Sequence, residues 1–350
     1  MALAAAADGS IWVGLEQTWD ENAPHPALDE PGAFVGGGLA RFDPASGGWG
    51  PVVRALAGED AGVRVAGLPS DNVTDVAFGA DGLLWVATRP YYAWREDACG
   101  RPTCPPEQAA WLAVGGGLAL TDDLAAGWQH WSTATMPGCL ASANHVTALA
   151  ADRGGRMWVG TRGRGLQAYI GGMAVRPCSP ETGHRHYERA RPGLPGNHVL
   201  SLAVGADGRV WVGVGDGDRG LGVSVLDPHG TYEDPSEPST DDTWEAIGLS
   251  DYAGPVDAVV SAIDVTGPTA FGTRDDRSGD GWGVYVRDGG WRVLRMADLG
   301  MPSNQVTAVA VEAGAGRTWL GTRGKGVVVW DGASIVRHTA FPSGVALGGR

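Results

Sequence analysis

No apolar run in this chain approaches the roughly 20 residues a helix needs to cross a bilayer, so direct membrane insertion is not expected. The opening stretch MALAAAADG lacks the charged start and apolar body of a signal peptide; if the protein is exported, its signal has been removed. Basic residues are in deficit. With 26 Lys and Arg against 40 Asp and Glu, the formal charge of −14 argues against nonspecific binding to nucleic acid or anionic membrane. Also missing are a Gly-x-Ser-x-Gly elbow, a phosphate loop, a dinucleotide fingerprint in a strand-to-helix setting, and any convincing amphipathic helix. The common hydrolase, nucleotide-binding and helical-bundle architectures are thereby disfavoured.

What is present is repetition. HVTALAADRGGRMWVGT starts at His145, HVLSLAVGADGRVWVGV at His198, NVTDVAFGADGLLWVAT at Asn72 and QVTAVAVEAGAGRTWLGT at Gln305. A degenerate copy, VVSAIDVTGPTAFGT, starts at Val259 and has Ala270 and Phe271 where the others have Trp-Val; a copy cut short, MALAAAADGSIWVGL, opens the chain. The equivalent positions Trp12, Trp85, Trp158, Trp211, Ala270 and Trp319 recur at intervals of roughly 50 to 70 residues, the scale of a repeat architecture.

Each copy reads as a period-2 strand, an Asp-Gly or Gly-Gly turn and a second strand, hence a hairpin. A third strand follows the Gly-Thr-Arg turn, as in GLQAYI and GVVVWDG. A fourth usually comes next, as in GWQHWST, DTWEAIG, GWRVLRM and SIVRHTA. Four antiparallel strands per unit define an all-β fold, a β-propeller of four-stranded antiparallel blades forming one domain over 1–350. Six repeats are visible, approximately 1–71, 72–144, 145–197, 198–258, 259–304 and 305–350. Because the C-terminal FPSGVALGGR resembles the blade-opening LPSDNVTDVA, seven blades or a segment of a longer array remain open. Glycine, at 57 residues, serves the turns, and 15 tryptophans supply flat groups to wedge between blades.

The pattern Leu-Pro-Ser-x-x-Val followed by Asp-x-x-Gly-x-x-Trp-Val-Gly-Thr-x-x-x-Gly-Leu resembles the two-component regulator propeller repeat of bacterial sensor proteins. It is matched from Leu68, Leu194 and Met301, and the resemblance extends over nearly the whole chain. It implies a sensor propeller that is extracellular or periplasmic, often carbohydrate-sensing, and joined in the family to a membrane segment and a kinase that nothing here matches.

The tryptophans read as packing between blades. The arginines Arg89, Arg162, Arg274 and Arg323 all leave the second strand, which in a meander places them at one end of every blade. Asn72, His145, His198 and Gln305 recur at the start of the inner strand, at that same end. The two longest second-to-third connections, roughly Glu16 to Phe34 and Pro90 to Trp111, also fall there and carry Trp19, Tyr91, Tyr92, Trp94 and Trp111. Insertions gathered on one face mark a binding face. Flat aromatics beside arginines suit a glycan or other anionic small ligand, the ring stacking while Arg forks onto an anion. The alternative is that each Arg pairs with an acidic residue of a neighbouring blade and the aromatics pack down their own loops.

Cys99 and Cys104 bracket CGRPTC in the second insertion, where a local disulfide would brace it; half of a metal site is the alternative. Cys139 and Cys178 would share a rim, and could bond, if GMAVRP is the fourth strand of the third blade. Two disulfides would fit an oxidising compartment. Catalytic signals are weak, and no catalytic residue or metal site is assigned. TGHRHYERA offers His184, His186 and Glu188 without a fourth zinc ligand, and GDGDRG and RDDRSGDGWG have carboxylates spaced as in calcium loops, although Asp-Gly turns give the same letters. No other cofactor is expected. Three function classes follow: a binding or sensor propeller, a protein-interaction propeller of a surface assembly, and a polysaccharide lyase using His145 or His198 as base.

Overall fold

The computed structural model describes residues 2–56, 64–95, 109–132, 144–170, 185–187, 193–216, 219–228, 242–247, 258–275, 281–295, 297, 303–312, 316–323 and 326–339. They are all-β and form six four-stranded antiparallel sheets, the blades of a six-bladed β-propeller, with one further two-stranded ribbon. The first blade is β1 (Ala2–Ala5), β2 (Ile11–Pro24), β3 (Pro31–Asp43) and β4 (Gly48–Trp49). In the second, β5 (Asn72–Phe78) and β6 (Leu84–Arg89) are followed by the ribbon strands β7 (Tyr91–Arg95) and β8 (Ala110–Val114), then by β9 (Gly117–Thr121) and β10 (Gln129–Trp131). The third is β11 (Val146–Ala151), β12 (Arg156–Thr161), β13 (Leu166–Ile170) and β14 (Arg185–Tyr187). The fourth is β15 (His198–Val204), β16 (Val210–Asp216), β17 (Arg219–Asp227) and β18 (Thr243–Ile247). The fifth is β19 (Val259–Asp264), β20 (Thr269–Arg274), β21 (Val284–Asp288) and β22 (Gly290–Leu294), and the sixth β23 (Val306–Glu312), β24 (Arg317–Thr322), β25 (Gly326–Trp330) and β26 (Ile335–Thr339). Described residues up to Thr147 make one compact unit and those from Ala148 onward another.

The repeat motif explains itself in the contacts. In the first unit, Trp12 of β2 is buried against Val73, Val76, Leu84 and Val86 of the second blade. In the second unit, Trp158 packs on Val199, Leu202, Val210 and Val212 of the fourth blade, and Trp211 on Val260, Ile263 and Phe271 of the fifth. Where the fifth blade has Ala270, that small side chain meets Val306, Val311 and Leu320 of the sixth. Removing one such tryptophan costs about 3–5 kcal/mol, so these are the main cross-blade anchors. Trp319 departs from the pattern: it is 37% exposed, with its indole N–H 3.4 Å from Glu312 Oε2.

Two residues after the tryptophan, glycine is required by the neighbouring blade rather than by a turn. A Cβ on Gly14 would collide with Val73, one on Gly213 with Ser201 and Val260, and one on Gly272 with Val306 at 2.8 Å. The next threonine is a clamp. Thr88, Thr161, Thr273 and Thr322 each donate from Oγ1 to the carbonyl of the glycine across the turn, Gly117, Gly165, Gly283 and Gly326, at 2.8 to 3.0 Å.

Inner strands carry a bulge at one recurring place, around Thr74, Leu200, Ser261 and Thr307. There a hydroxyl reaches the next inner strand: Thr74 donates to Val146 O at 2.7 Å, Ser201 to Val260 O at 2.8 Å, and Ser261 to Val306 O. These bonds satisfy buried backbone acceptors that the bulge would otherwise leave exposed to apolar surroundings.

Two expectations change. The fourth strand of the third blade is β14, Arg185–Tyr187, and not GMAVRP, which lies outside the described residues. Tyr187 explains the choice: its buried ring packs on Trp158 and Trp244, and its hydroxyl donates to Asp242 Oδ2 at 2.8 Å. The described parts of the two long connections are largely strand. Strands β2 and β3 simply continue pairing through Asp20 and Ala33, and Tyr91 to Arg95 pairs with Ala110 to Val114. MALAAAADG supplies the inner strand of the first blade, as its place in the repeat implied, whereas FPSGVALGGR lies outside the described residues, as do all four cysteines, Cys99, Cys104, Cys139 and Cys178.

Candidate ligand-recognition site

In the first unit the extended β2–β3 hairpin and the β7–β8 ribbon meet at the end of the blades where β6 finishes. Arg89, the last residue of β6, forks onto Glu16, with Nε to Oε1 at 2.8 Å and Nη2 to Oε2 at 3.2 Å. Glu16 stands where other blades have arginine. The pair is about one-third exposed on each side, so its net worth is of the order of 1 kcal/mol or less and its main effect is to orient both side chains. Asn72 is buried and ties three segments together: its Oδ1 accepts from Gln17 N–H at 2.6 Å, and its Nδ2 donates to Pro90 O at 2.8 Å.

Gln17 was not legible as a site residue, yet it joins the two ribbons. Its Oε1 accepts from Tyr92 N–H at 2.9 Å and its Nε2 donates to Tyr92 O at 3.4 Å, so the side-chain amide imitates a strand partner.

Above this joint lies an aromatic cluster. Phe34 stacks on Tyr92 at 4.4 Å, and Trp111 meets Trp19, Phe34 and Trp94 edge-on at 6.1, 5.4 and 5.9 Å. His25 closes it, 4.5 Å from Trp94 and 5.5 Å from Trp111. Its Nδ1 accepts from the Ala27 and Leu28 N–H groups at 3.1 and 3.0 Å, which assigns the ring proton to Nε2. The cluster is a platform rather than a core, because Trp19 remains 53% and Tyr92 39% exposed. Trp19 lies against Gly32, where φ is +128° and a Cβ would come within 2.8 Å of the indole, leaving no room for a side chain. Tyr91 is half-buried; burial pushes its phenol up, Asp71 adds to the rise and Arg95 opposes it. His145 lies at the start of β11, half-buried.

In the second unit the recurring polar positions again sit at one end of their sheets. Arg162 follows β12, is exposed, and makes no ion pair with a described residue; its backbone bridges to His198. The glycines after it, Gly163 and Gly165, both donate to Asn197 O, at 3.0 and 2.9 Å. Gln305 is buried. Its Nε2 donates to Asp275 O at 2.7 Å, while Oε1 has no hydrogen-bond partner among the described residues. Arg274 ends β20 half-buried, and Arg323, just past β24, is exposed and donates its backbone N–H to Gln305 O at 2.9 Å. Asn72 and Gln305 thus do the same work, each fixing the second-to-third connection of the preceding blade.

Among the described residues no group of three or more His, Cys, Asp or Glu is arranged to hold a metal ion, and no helix is long and apolar enough to cross a membrane. His184 and Glu188 lie outside the described residues, and so do most of the acidic letters of the two calcium-like stretches.

A chain of repeated four-stranded blades, with a further two-stranded ribbon, is a β-propeller. The family model for the two component regulator propeller matches three segments of the chain, residues 67–89, 141–163 and 193–216. It is similar in fold to two structures of the extracellular domain of BT4673 from B. thetaiotaomicron, described as a putative one component and a putative hybrid two component system. Identity is 15% and 14%, TM-scores 0.56 and 0.59, with 97% of this chain and 35% of the other covered in each case. This chain therefore spans about a third of the length of those structures. PorZ, a surface component of the type-IX secretion system of Porphyromonas gingivalis, aligns at 14% identity and TM-score 0.45 over 86% of this chain and 45% of that one. No curated protein matches the sequence.

Proposed function

We propose that this chain is the non-catalytic recognition propeller of an extracellular or periplasmic sensing protein, and that its ligand, a carbohydrate, is captured on the aromatic platform of the first unit. One observation carries the reading: Trp19 and Tyr92 stay 53% and 39% exposed although each is held by a ring neighbour, Trp111 and Phe34 respectively. A sugar's C–H face stacks on such rings with little ordering cost, because the rings are already fixed. In the second unit, Arg162, exposed and without an ion pair to a described residue, offers a guanidinium group to an anionic ligand. A protein partner is the second reading, favoured by Leu28 and Leu112, which are 48% and 40% exposed on the same ribbons.

The test is thermal stability with a panel of neutral, acidic and amino oligosaccharides, since a ligand that binds only the native state raises the melting temperature. A sugar is expected to stabilise the wild type, and Trp19→Ala and Tyr92→Ala are expected to abolish that gain while keeping the fold. Loss of the gain in Arg162→Ala/Arg323→Ala instead would move the site to the second unit, and no gain with any sugar would leave the protein-partner reading.

A further inference from the structure

The β2–β3 side of the platform carries one sign of charge. From Glu16 to Ala40 the chain contains Glu16, Asp20, Glu21, Asp29 and Glu30 but no Lys or Arg. Glu16 is neutralised by Arg89. The other four form no ion pair with any described residue: Glu21, Asp29 and Glu30 are exposed, and Asp20 accepts from Asn22 N–H at 2.9 Å. Asp20 directly follows the exposed Trp19 in β2, and the turn that joins β2 to β3 carries Asp29 and Glu30. On the facing ribbon, the described residues of β7 and β8 contribute a single cation, Arg95.

We infer that the platform selects an oligosaccharide bearing free ammonium groups, an amino sugar polymer rather than a neutral or acidic glycan. This rests on the carbohydrate reading above. Two physical terms point the same way. An ammonium over an indole or phenol face is attracted by the ring quadrupole, which a neutral or anionic substituent is not. Unpaired carboxylates around the rings add attraction for a cation, and would repel a sulfate or uronate, with a reach set by the Debye length of about 10 Å at 0.1 M salt. The overall charge of −14 reinforces the preference through the approach of the ligand.

The experiment compares a glucosamine tetramer with the N-acetylglucosamine tetramer of the same length, near pH 6 where amines and carboxylates are both charged. The two present the same ring faces and differ in charge. Binding to the full chain is measured by calorimetry at low and high salt, with Glu21→Gln/Asp29→Asn/Glu30→Gln and with Trp19→Ala. All three carboxylates are exposed, so the triple variant is expected to melt as the wild type does. The inference expects the glucosamine tetramer to bind about tenfold more tightly at low salt, the sum of a few surface pairs. The advantage should vanish at high salt and in the triple variant, and Trp19→Ala should weaken both tetramers. Equal affinities, or an advantage that survives the triple variant, would overturn the inference while leaving the platform reading in place if Trp19→Ala still weakens both. If neither tetramer binds, both fail.

Discussion

At the scale of single residues, side chains that look alike in the repeat do different work. Trp12, Trp158 and Trp211 anchor one blade on the next, while Trp19 stays half-exposed. Gly213 has no room for a methyl group beside Ser201 and Val260, so Gly213→Ala should lower stability by about 1–3 kcal/mol in denaturant melts, the usual cost of overpacking. A wild-type midpoint would show that the blades can part without cost. Tyr285 presents the opposite case. Its ring is fully buried and its hydroxyl has no hydrogen-bond partner among the described residues. Tyr285→Phe removes an unpaired polar atom and is expected to gain about 1 kcal/mol, read as a rise in melting temperature; a fall would reveal a partner for that hydroxyl.

Elements show what the sequence could and could not tell. Strands with the Trp-Val-Gly-Thr signature were legible to within a residue or two, because turn glycine, period-2 alternation and tryptophan all point to one structure. The outer strand of the third blade was not. RHY is short and polar, and only the burial of Tyr187 against Trp244, a contact across some 55 residues, selects it over GMAVRP. The ribbons were seen as insertions but not as strands, and the joint between them rests on Gln17, whose role is visible only when Tyr92 lies beside it. Gln17→Ala should therefore leave global stability nearly unchanged while speeding hydrogen exchange at the Tyr92 amide. Unchanged exchange would mean the ribbon holds its place through the aromatic rings alone.

For the whole molecule, pH dependence follows from two sets of groups. Asp8, Asp43, Asp122 and Asp331 sit below the usual carboxylate value of 3.8, chiefly through hydrogen bonds from Ser10, Ser46, Arg64 and the Ser334 backbone respectively. Their contribution is present above 3.8 and is lost as pH falls through their lowered values. Asp43→Asn should flatten the acid limb of the melting-temperature profile, and an unchanged limb would exclude this turn from it. In the other direction, burial raises Tyr91, Tyr169 and Tyr285 above the ordinary value of 10.0. Their contribution is complete below 10.0 and declines above it as the unfolded chain ionises first. The melting temperature is accordingly expected to fall above that pH, with tyrosinate absorbance rising only as the fold is lost. Early ionisation in the native state would contradict the burial.

The central claim is that recognition occurs on the two ribbons of the first unit, and hydrogen-exchange mass spectrometry of the full chain with and without saturating oligosaccharide tests it most directly. The account predicts added protection concentrated in residues 16–35 and 91–114, and none of it in Trp19→Ala. Protection around Arg162 and Arg323 instead, or no protection with any oligosaccharide, would contradict it.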